Sequence, residues 1–245
     1  MASHKLPCLN SDLIKARKDA KFIDYAFVCR GETIPVHKVV ACAQSEAFGA
    51  ACVSLFKDAD AQFTIDDYEP AMVHRMVDYL YTGNYNKGIP EECAATEKDP
   101  NEQLIIHATM FALADEYLIS GLQLVAARNY NMALGGVRME CFLTSLSAVY
   151  STPVHRQELR KRAVAYARQT MPSYLHSKET KELFDLICSE NPAFAKELLE
   201  SFLEEPYLGR CGSCGDGVPI EALQCRCLTC KKGGAQLPRK RSRVE

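Results

Sequence analysis

The stretch Asp24-Tyr-Ala-Phe-Val-Cys29, followed by Ile34-Pro-Val-His37-Lys-Val-Val-Ala41, decides the fold of this 245-residue chain. Aromatic and β-branched residues dominate its first half, and Arg30-Gly31 is typical of a tight turn. The spacing therefore predicts a β-hairpin. Pro35 confines the second strand to a sheet edge, because proline donates no ladder hydrogen bond. A helix is expected directly after this hairpin.

Outward from the hairpin, short strands give way to long amphipathic helices. Helix starts and stops coincide with prolines and glycines, as at Pro70 and Pro192. The predicted elements, in chain order, are a short helix within 11–21, strands at 22–29 and 32–36, helical structure at 37–51 in which Ser45 with Phe48 offers a second helix start, a strand at 61–65, and helices at 70–82, 102–117, 122–132, 139–150, 154–170, 177–188 and 193–204. Residues 84–101 are polar and predict a loop.

Three further blocks follow the opening stretch in a fixed order. They are Ser45-Glu-Ala-Phe48, Tyr79-Leu-Tyr-Thr-Gly-Asn-Tyr85, and Ala112-Leu-Ala-Asp-Glu-Tyr-Leu118 with Gly121-Leu122 behind it. Together the blocks resemble the BTB/POZ domain, over residues 12–135. The long loop before the last helix pair is similar to the BTB proteins abundant in filamentous fungi. The resemblance implies an α+β fold, with a short three-stranded sheet flanked by helices.

Three residues of these blocks are expected to specify the fold. His37 lies at a strand-to-helix junction, where an imidazole can bond open backbone groups. Asp24 can accept backbone N–H bonds in the same region. Gly83 is expected to supply a positive φ after a helix. All three roles are structural rather than catalytic.

The BTB resemblance also implies a function, which is the binding of another protein. Members of the family self-associate, and many recruit a cullin as substrate adaptors of ubiquitin ligases. Cullin-binding members often carry an apolar-x-Glu triplet before the third strand, and this chain offers Phe56-Lys57-Asp58 at that place. The resemblance therefore implies partner proteins, either a second copy or a cullin.

Charge divides the chain into a body and a tail. Residues 1–206 hold 21 basic and 28 acidic side chains, whereas residues 207–245 hold 8 basic and 3 acidic ones. The net charge of −2 thus combines an acidic body with a basic tail. Behind the BTB-like part, the predicted divisions are a helical extension at 136–206, a Cys-rich segment at 207–233 and a basic disordered tail at 234–245.

Five of the twelve cysteines lie within residues 211–230, while the other seven are scattered singly. Cys211 and Cys214 form one C-x-x-C pair, and Cys227 and Cys230 form a second. Turns of this kind point backbone N–H groups at sulfur, and four thiolates suit tetrahedral Zn²⁺. The sequence therefore predicts a structural zinc site, with Cys225 as an alternative ligand and a hairpin between the two pairs. A flexible tail with reactive thiols is the competing interpretation, and a redox C-x-x-C is the least favoured.

The last residues carry a cluster of cations. Arg239, Lys240, Arg241 and Arg243 are typical of a nuclear localisation signal and equally of a solvated basic terminus. The expected location is therefore the nucleus, the cytoplasm or both. Nucleic acid is an unfavoured partner, because no recognition helix accompanies the cysteines.

Enzyme and membrane signatures are missing from the sequence. It holds no phosphate-binding glycine loop, Gly-x-Ser-x-Gly elbow or His-Glu-x-x-His helix, and its six histidines are isolated. No stretch approaches the ~20 apolar residues that a membrane helix needs. We expect a non-enzymatic protein with no catalytic residues and no membrane partner, and we expect His107 to be a packed core residue.

Overall fold

A computed structural model describes residues 9–54, 62–85, 100–151, 157–171, 177–204, 207–220 and 227–232. The chain forms two compact units, Met1–Leu159 and Arg160–Glu245. No helix in the described ranges is long and apolar enough to cross a lipid bilayer.

Five strands and ten α-helices make up the described structure. In chain order they are α1 (Leu9–Lys18), β1 (Tyr25–Cys29), β2 (Glu32–Val36), α2 (Lys38–Cys42), α3 (Glu46–Ser54), β3 (Gln62–Thr64), α4 (Pro70–Thr82), α5 (Pro100–Glu116), α6 (Ser120–Ala133), α7 (Met139–Tyr150), α8 (Glu158–Thr170), α9 (Lys178–Glu190), α10 (Pro192–Glu204), β4 (Tyr207–Cys211) and β5 (Gly215–Ile220). The predicted α+β class, with a small sheet and a helical extension, is confirmed.

The first unit contains a three-stranded sheet in the order β2-β1-β3. β1 and β2 are antiparallel, with Phe27 opposite Ile34, and β3 runs parallel to β1. Arg30 and Gly31 both have positive φ, of 48° and 85°, as a two-residue hairpin turn requires. The predicted hairpin is therefore confirmed, and β2 with its proline lies at the sheet edge as expected.

Aromatic side chains fill the space between this sheet and the helices. Phe48 on α3 stacks on Tyr117, with ring centroids 5.2 Å apart, and lies 4.7 Å from the ring of Phe27. Phe27 and Phe48 are fully buried. Burying a ring of this size contributes about 2–3 kcal/mol. This contact fixes α3 onto the sheet.

The helical structure predicted at 37–51 consists of two helices, and the second begins directly after Ser45, at the alternative start that the sequence offers. Ser45 separates the two helices. Its hydroxyl accepts the Phe48 N–H at 3.0 Å and donates to the Tyr117 carbonyl at 2.6 Å. A serine that caps the next helix in this way favours a new start. The first predicted strand is also shorter than expected, because Phe22 has φ of 59° and β1 begins at Tyr25.

The break between α5 and α6 lies at Leu118, not at Gly121 as the sequence suggests. Leu118 takes a positive φ of 52°, and Gly121 falls in the first turn of α6. Gly121 leaves room for a side chain of α4, because a Cβ there would lie 2.3 Å from the Tyr79 hydroxyl oxygen. A larger residue at 121 would therefore displace the Tyr79 ring.

The second unit contains helices joined by aromatic and ionic contacts. Phe184 and Phe194 meet edge-to-face with ring centroids 6.3 Å apart. The buried Arg160 guanidinium lies 3.6 Å from the Glu197 carboxylate, and Arg168 lies over the Phe202 ring. These contacts tie α8 and α9 to α10. Beyond α10, β4 and β5 form an antiparallel hairpin with an irregular register between Gly209 and Cys211.

Candidate metal centre and BTB domain

The structure brings together the four predicted zinc ligands. The Sγ atoms of Cys211, Cys214, Cys227 and Cys230 all lie within 4.8 Å of one another. We call this group the Cys cage. Cys211 ends β4, Cys214 lies in the turn before β5, and Cys227 pairs with Ile220 at the end of β5. The hairpin therefore positions both C-x-x-C pairs around one point.

The two pairs have the same local geometry. The Ser213 N–H donates to Cys211 Sγ at 3.4 Å, and this bond with that of the Cys214 N–H lowers the pKa of the Cys211 thiol. The N–H groups of Cys230 and Thr229 act in the same way on Cys227 and lower the pKa of that thiol to about 6. Backbone donors stabilise thiolate over thiol. The first cysteine of each pair is thus prepared to bind a cation.

The second cysteine of the first pair is different. Cys214 is exposed, and its hydrogen bond with Cys230 raises the pKa of its thiol to about 12. Cys211 Sγ and Cys230 Sγ lie 3.5 Å apart. Four sulfurs this close repel one another as thiolates, and a divalent cation removes that repulsion. The donor set of four sulfurs is the one that tetrahedral Zn²⁺ takes in structural sites.

Backbone conformation repeats between the pairs as well. The residue after each pair has positive φ, 89° at Gly215 and 61° at Lys231. Glycine adopts this conformation without strain, whereas a residue with a Cβ pays for it. Lys231 is therefore a strained position in the second turn.

Replacing Lys231 by glycine is expected to tighten metal binding. Relief of the left-handed strain is worth about 1 kcal/mol, or about a fivefold gain in zinc affinity. Competition against a chromophoric chelator measures this affinity. Lys231→Ala is the matched control, because it removes the same side chain but keeps a Cβ at the positive φ. A Lys231→Gly variant that binds zinc no more tightly than the control contradicts the strain argument.

The hairpin predicted between the two pairs lies partly outside the described residues: β5 occupies Gly215–Ile220, Ile220 pairs antiparallel with Cys227, and residues 221–226 are not described. The structure adds a hairpin that the sequence does not predict, in which β4 and β5 enclose the first pair and the tight turn runs from Cys211 to Gly215. The sequence obscured this because β5 carries Pro219 and two glycines, which are poor strand formers. Cys225 and the four cations at 239–243 lie outside the described residues, as does Phe56-Lys57-Asp58.

His37, predicted to specify the fold, joins three elements in the first unit. Its Nε2 lies 2.9 Å from the Lys21 carbonyl, which can only accept, so Nε2 carries the proton. The Tyr81 hydroxyl then donates to Nδ1 at 2.6 Å and accepts the His37 backbone N–H at 2.8 Å. His37 and Tyr81 are both buried. The imidazole thus connects the loop before β1 to α2 and α4.

Tyr81→Phe is expected to destabilise the first unit by about 2 kcal/mol, because it leaves a buried N–H and a buried ring nitrogen without their partner. Urea unfolding followed by far-UV circular dichroism measures the loss. Tyr79→Phe on the same helix is the control, since no described residue hydrogen-bonds its hydroxyl. Equal stability of the two variants contradicts this role of Tyr81. The sequence does not mark Tyr81 as the partner of His37.

Asp24 and Gly83 both lie at helix ends in the first unit. Asp24 Oδ1 accepts the Lys38 N–H at 2.7 Å and so satisfies the first turn of α2. Gly83 ends α4 with φ of 72°, and its N–H bonds the Tyr79 carbonyl. Both contacts act on the ends of helices.

The sequence predicts the burial of His107 but not its hydrogen-bond partner. His107 is buried, as predicted, and its Nδ1 lies 2.8 Å from the Tyr85 hydroxyl. Burial, with the nearby Arg75 charge, lowers the pKa of His107 to about 4. The tyrosine partner lies in the quoted block at 79–85, but nothing in its spacing marks residue 107 as its neighbour.

Comparison with known proteins agrees with this reading of the first unit. The family described as the BTB/POZ domain matches residues 13–123. "Protein maternal effect lethal 26" of Caenorhabditis elegans is 31% identical over 147 residues, which is 58% of this chain and 32% of that protein. The chain thus spans about a third of the length of this relative.

Two solved structures are similar over about half of the chain. The BTB domain of zebrafish PATZ1 is 18% identical, with a TM-score of 0.37, and covers 51% of this chain and 96% of its own. The BTB domain of human gigaxonin is 16% identical, with a TM-score of 0.34, and covers 52% and 98%. The family match over residues 13–123 therefore identifies a BTB/POZ domain in the first half of this chain.

Proposed function

We propose that this protein is a non-enzymatic scaffold whose BTB/POZ domain binds other proteins or a second copy of itself. The observation that supports it is a pair of highly exposed apolar side chains on α6. Leu124 and Met132 lie two turns apart on one helix face, with exposed fractions of 74% and 70%, and Arg128 is exposed between them. Large apolar groups in water favour a partner that covers them.

Affinity purification of the full chain with mass spectrometry tests this proposal. A Leu124→Asp/Met132→Asp variant is expected to lose at least one partner that the wild type retains, because a carboxylate desolvates poorly in an interface. Val39→Asp on α2 is the matched control, since Val39 is also 70% exposed but lies on another helix. Light scattering after gel filtration measures self-association. The proposal for α6 is contradicted if the wild type, the double variant and the Val39→Asp control are all monomers and copurify the same proteins.

The second part of the proposal concerns the Cys cage, which we propose binds one structural zinc ion. Four convergent sulfurs and their backbone donors support it. Titration of the reduced, metal-free chain with Co²⁺ is expected to give the strong thiolate-to-cobalt absorption of a tetrahedral sulfur site. A spectrum of six-coordinate cobalt alone contradicts it.

A narrower proposal is that the protein is a cullin-dependent substrate adaptor. Membership of the BTB family supports it, through what other members do. Copurification with a cullin at native expression levels is the expected result. Its absence, with other partners still present, rejects the adaptor role and leaves the scaffold proposal intact.

A different candidate function is nuclear regulation through the basic tail. The positive balance of residues 207–245 supports it. Replacement of Arg239, Lys240, Arg241 and Arg243 by alanine is expected to reduce nuclear import and any salt-dependent DNA binding. Unchanged location and no DNA binding at low salt would reject this candidate.

A further inference from the structure

We infer that the zinc-loaded Cys cage is an oxidation site, at which Cys214 is the first sulfur to react with a peroxide and a disulfide between Cys214 and Cys230 then releases the metal. The inference rests on the zinc site proposed above. It concerns the order in which the four sulfurs react. That order follows from how differently the protein covers them.

The four sulfurs differ in how far apolar side chains cover them. Cys211 and Cys227 are 4% and 0% exposed and pack against Ile220, with Val218 and the partly buried Cys230 beside them. Cys214 is outside this cluster and exposed. A peroxide in solution therefore reaches Cys214 most easily, since oxidation of a thiolate follows its exposure.

The described residues give the turn around Cys214 little apolar cover. A Cβ placed on Gly212 or on Gly215 would meet no described atom within 4 Å. Ser213 between them is exposed, and its hydroxyl accepts a hydrogen bond from the exposed Lys232 ammonium at 3.3 Å. Ile220 and Val218, which pack against the buried sulfurs, do not cover Cys214 in the same way.

One hydrogen bond adds to this difference. The Ser213 N–H donates to Cys211 Sγ at 3.4 Å and draws electron density from that sulfur. Cysteines bind zinc as thiolates, so the order in which the four sulfurs react is set by their access to the peroxide.

The reaction balances with one peroxide and two cysteines. The Cys214 sulfur attacks one peroxide oxygen, the O–O bond breaks, and the products are a sulfenic acid and a hydroxide that takes a proton to become water. The Cys230 sulfur then attacks the Cys214 sulfur, the S–O bond breaks, and a second water leaves. The two sulfurs lose two electrons to the peroxide. The two remaining sulfurs cannot hold zinc alone, so the ion leaves.

Cys230 is the expected partner because it is the other sulfur with incomplete cover. All four sulfurs lie within 4.8 Å, so a small movement of the turn brings Cys214 and Cys230 to bonding distance. Cys211 and Cys227 are held by the packing of Ile220 and by their backbone donors. They are expected to remain thiols.

The test uses the full chain, with its zinc content measured first. Hydrogen peroxide is added, zinc release is followed with a chromophoric chelator, and disulfides are mapped by mass spectrometry after blocking free thiols. We expect release of the bound zinc with a Cys214–Cys230 disulfide, reversed by a thiol reductant and fresh zinc. A chain without zinc at the start contradicts the zinc site itself. A zinc-loaded chain that keeps its metal, or forms its first disulfide between Cys211 and Cys227, overturns only the oxidation inference.

Two variants distinguish the effect of sulfur exposure from the effect of replacing any one zinc ligand. Cys214→His keeps a zinc ligand at the exposed position but removes its nucleophilic sulfur, and we expect peroxide-driven zinc release to slow at least ~10-fold. Cys227→His makes the same exchange at the buried position and is expected to release zinc no more slowly than the wild type. If Cys227→His does not bind zinc, the wild-type disulfide map decides the question. Equal slowing in both variants contradicts the priority of Cys214.

Discussion

Removal of zinc by a chelator under reducing conditions is expected to unfold residues 207–232 and to leave the first unit folded. The cluster that holds the hairpin is very small, with Ile220 as its one fully buried aliphatic side chain in the described residues of the hairpin. Burying such a side chain contributes about 2 kcal/mol, whereas ordering each residue's backbone costs about 1–2 kcal/mol. Metal binding in small structural zinc sites contributes about 10–16 kcal/mol and reverses that balance.

Hydrogen exchange with mass spectrometry measures this effect peptide by peptide. Peptides from 207–232 are expected to lose all protection on chelation, while those from β1, α4 and α5 keep theirs. Chelator saturated with calcium is the control, because it cannot take zinc. The same loss is expected in Cys211→Ser/Cys214→Ser without chelator. A hairpin that stays protected without metal contradicts the proposed dependence.

Acid is expected to weaken the first unit through His107. The pKa of His107 is lowered to about 4 in the folded protein, whereas an unfolded histidine titrates near 6.5. Between these values the unfolded chain binds the proton more readily, so the free energy of unfolding is unaffected above about pH 6.5 and falls below it. The loss from this residue is about 2 kcal/mol at pH 5 and about 3 kcal/mol at pH 4.

A variant isolates this contribution from that of other titrating groups. His107→Asn retains an acceptor for the Tyr85 hydroxyl but cannot be protonated. Urea unfolding at pH 7 and pH 5, followed by far-UV circular dichroism, is expected to show a smaller fall for the variant by about 2 kcal/mol. Parallel falls in the two proteins would mean that His107 is not the group that takes up the proton.

Much of the fold could be predicted because local and long-range signals agree. The Arg30-Gly31 turn, the strand after it and the start of α4 at Pro70 occupy their expected places. The misplaced boundaries have tertiary causes. Ser45, the alternative helix start, is fixed by a bond to the Tyr117 carbonyl 72 residues away, which local spacing does not reveal. Local spacing predicts a helix break at Gly121 because the contact of this residue with Tyr79 leaves no local signal.

The sequence predicts which residues form the candidate metal site, but not which of their sulfurs are exposed to solvent. C-x-x-C spacing alone indicates which sulfurs converge, since each turn brings its own pair together. It does not reveal that Ile220 covers Cys227 while Cys214 stays exposed, because that difference depends on the strand β5 folding back over the pair. The partner of His37 was unpredictable for a similar reason, as Tyr81 lies 44 residues away.

Native mass spectrometry of the full chain, purified without chelator, tests whether the Cys cage binds one zinc ion. The spectrum resolves bound metal and subunit number together. We predict the mass of a 27.3 kDa chain plus one zinc ion, alone or in a defined complex, with the zinc absent from Cys211→Ser/Cys214→Ser. A metal-free wild-type chain, or zinc retained in the double variant, would contradict the account.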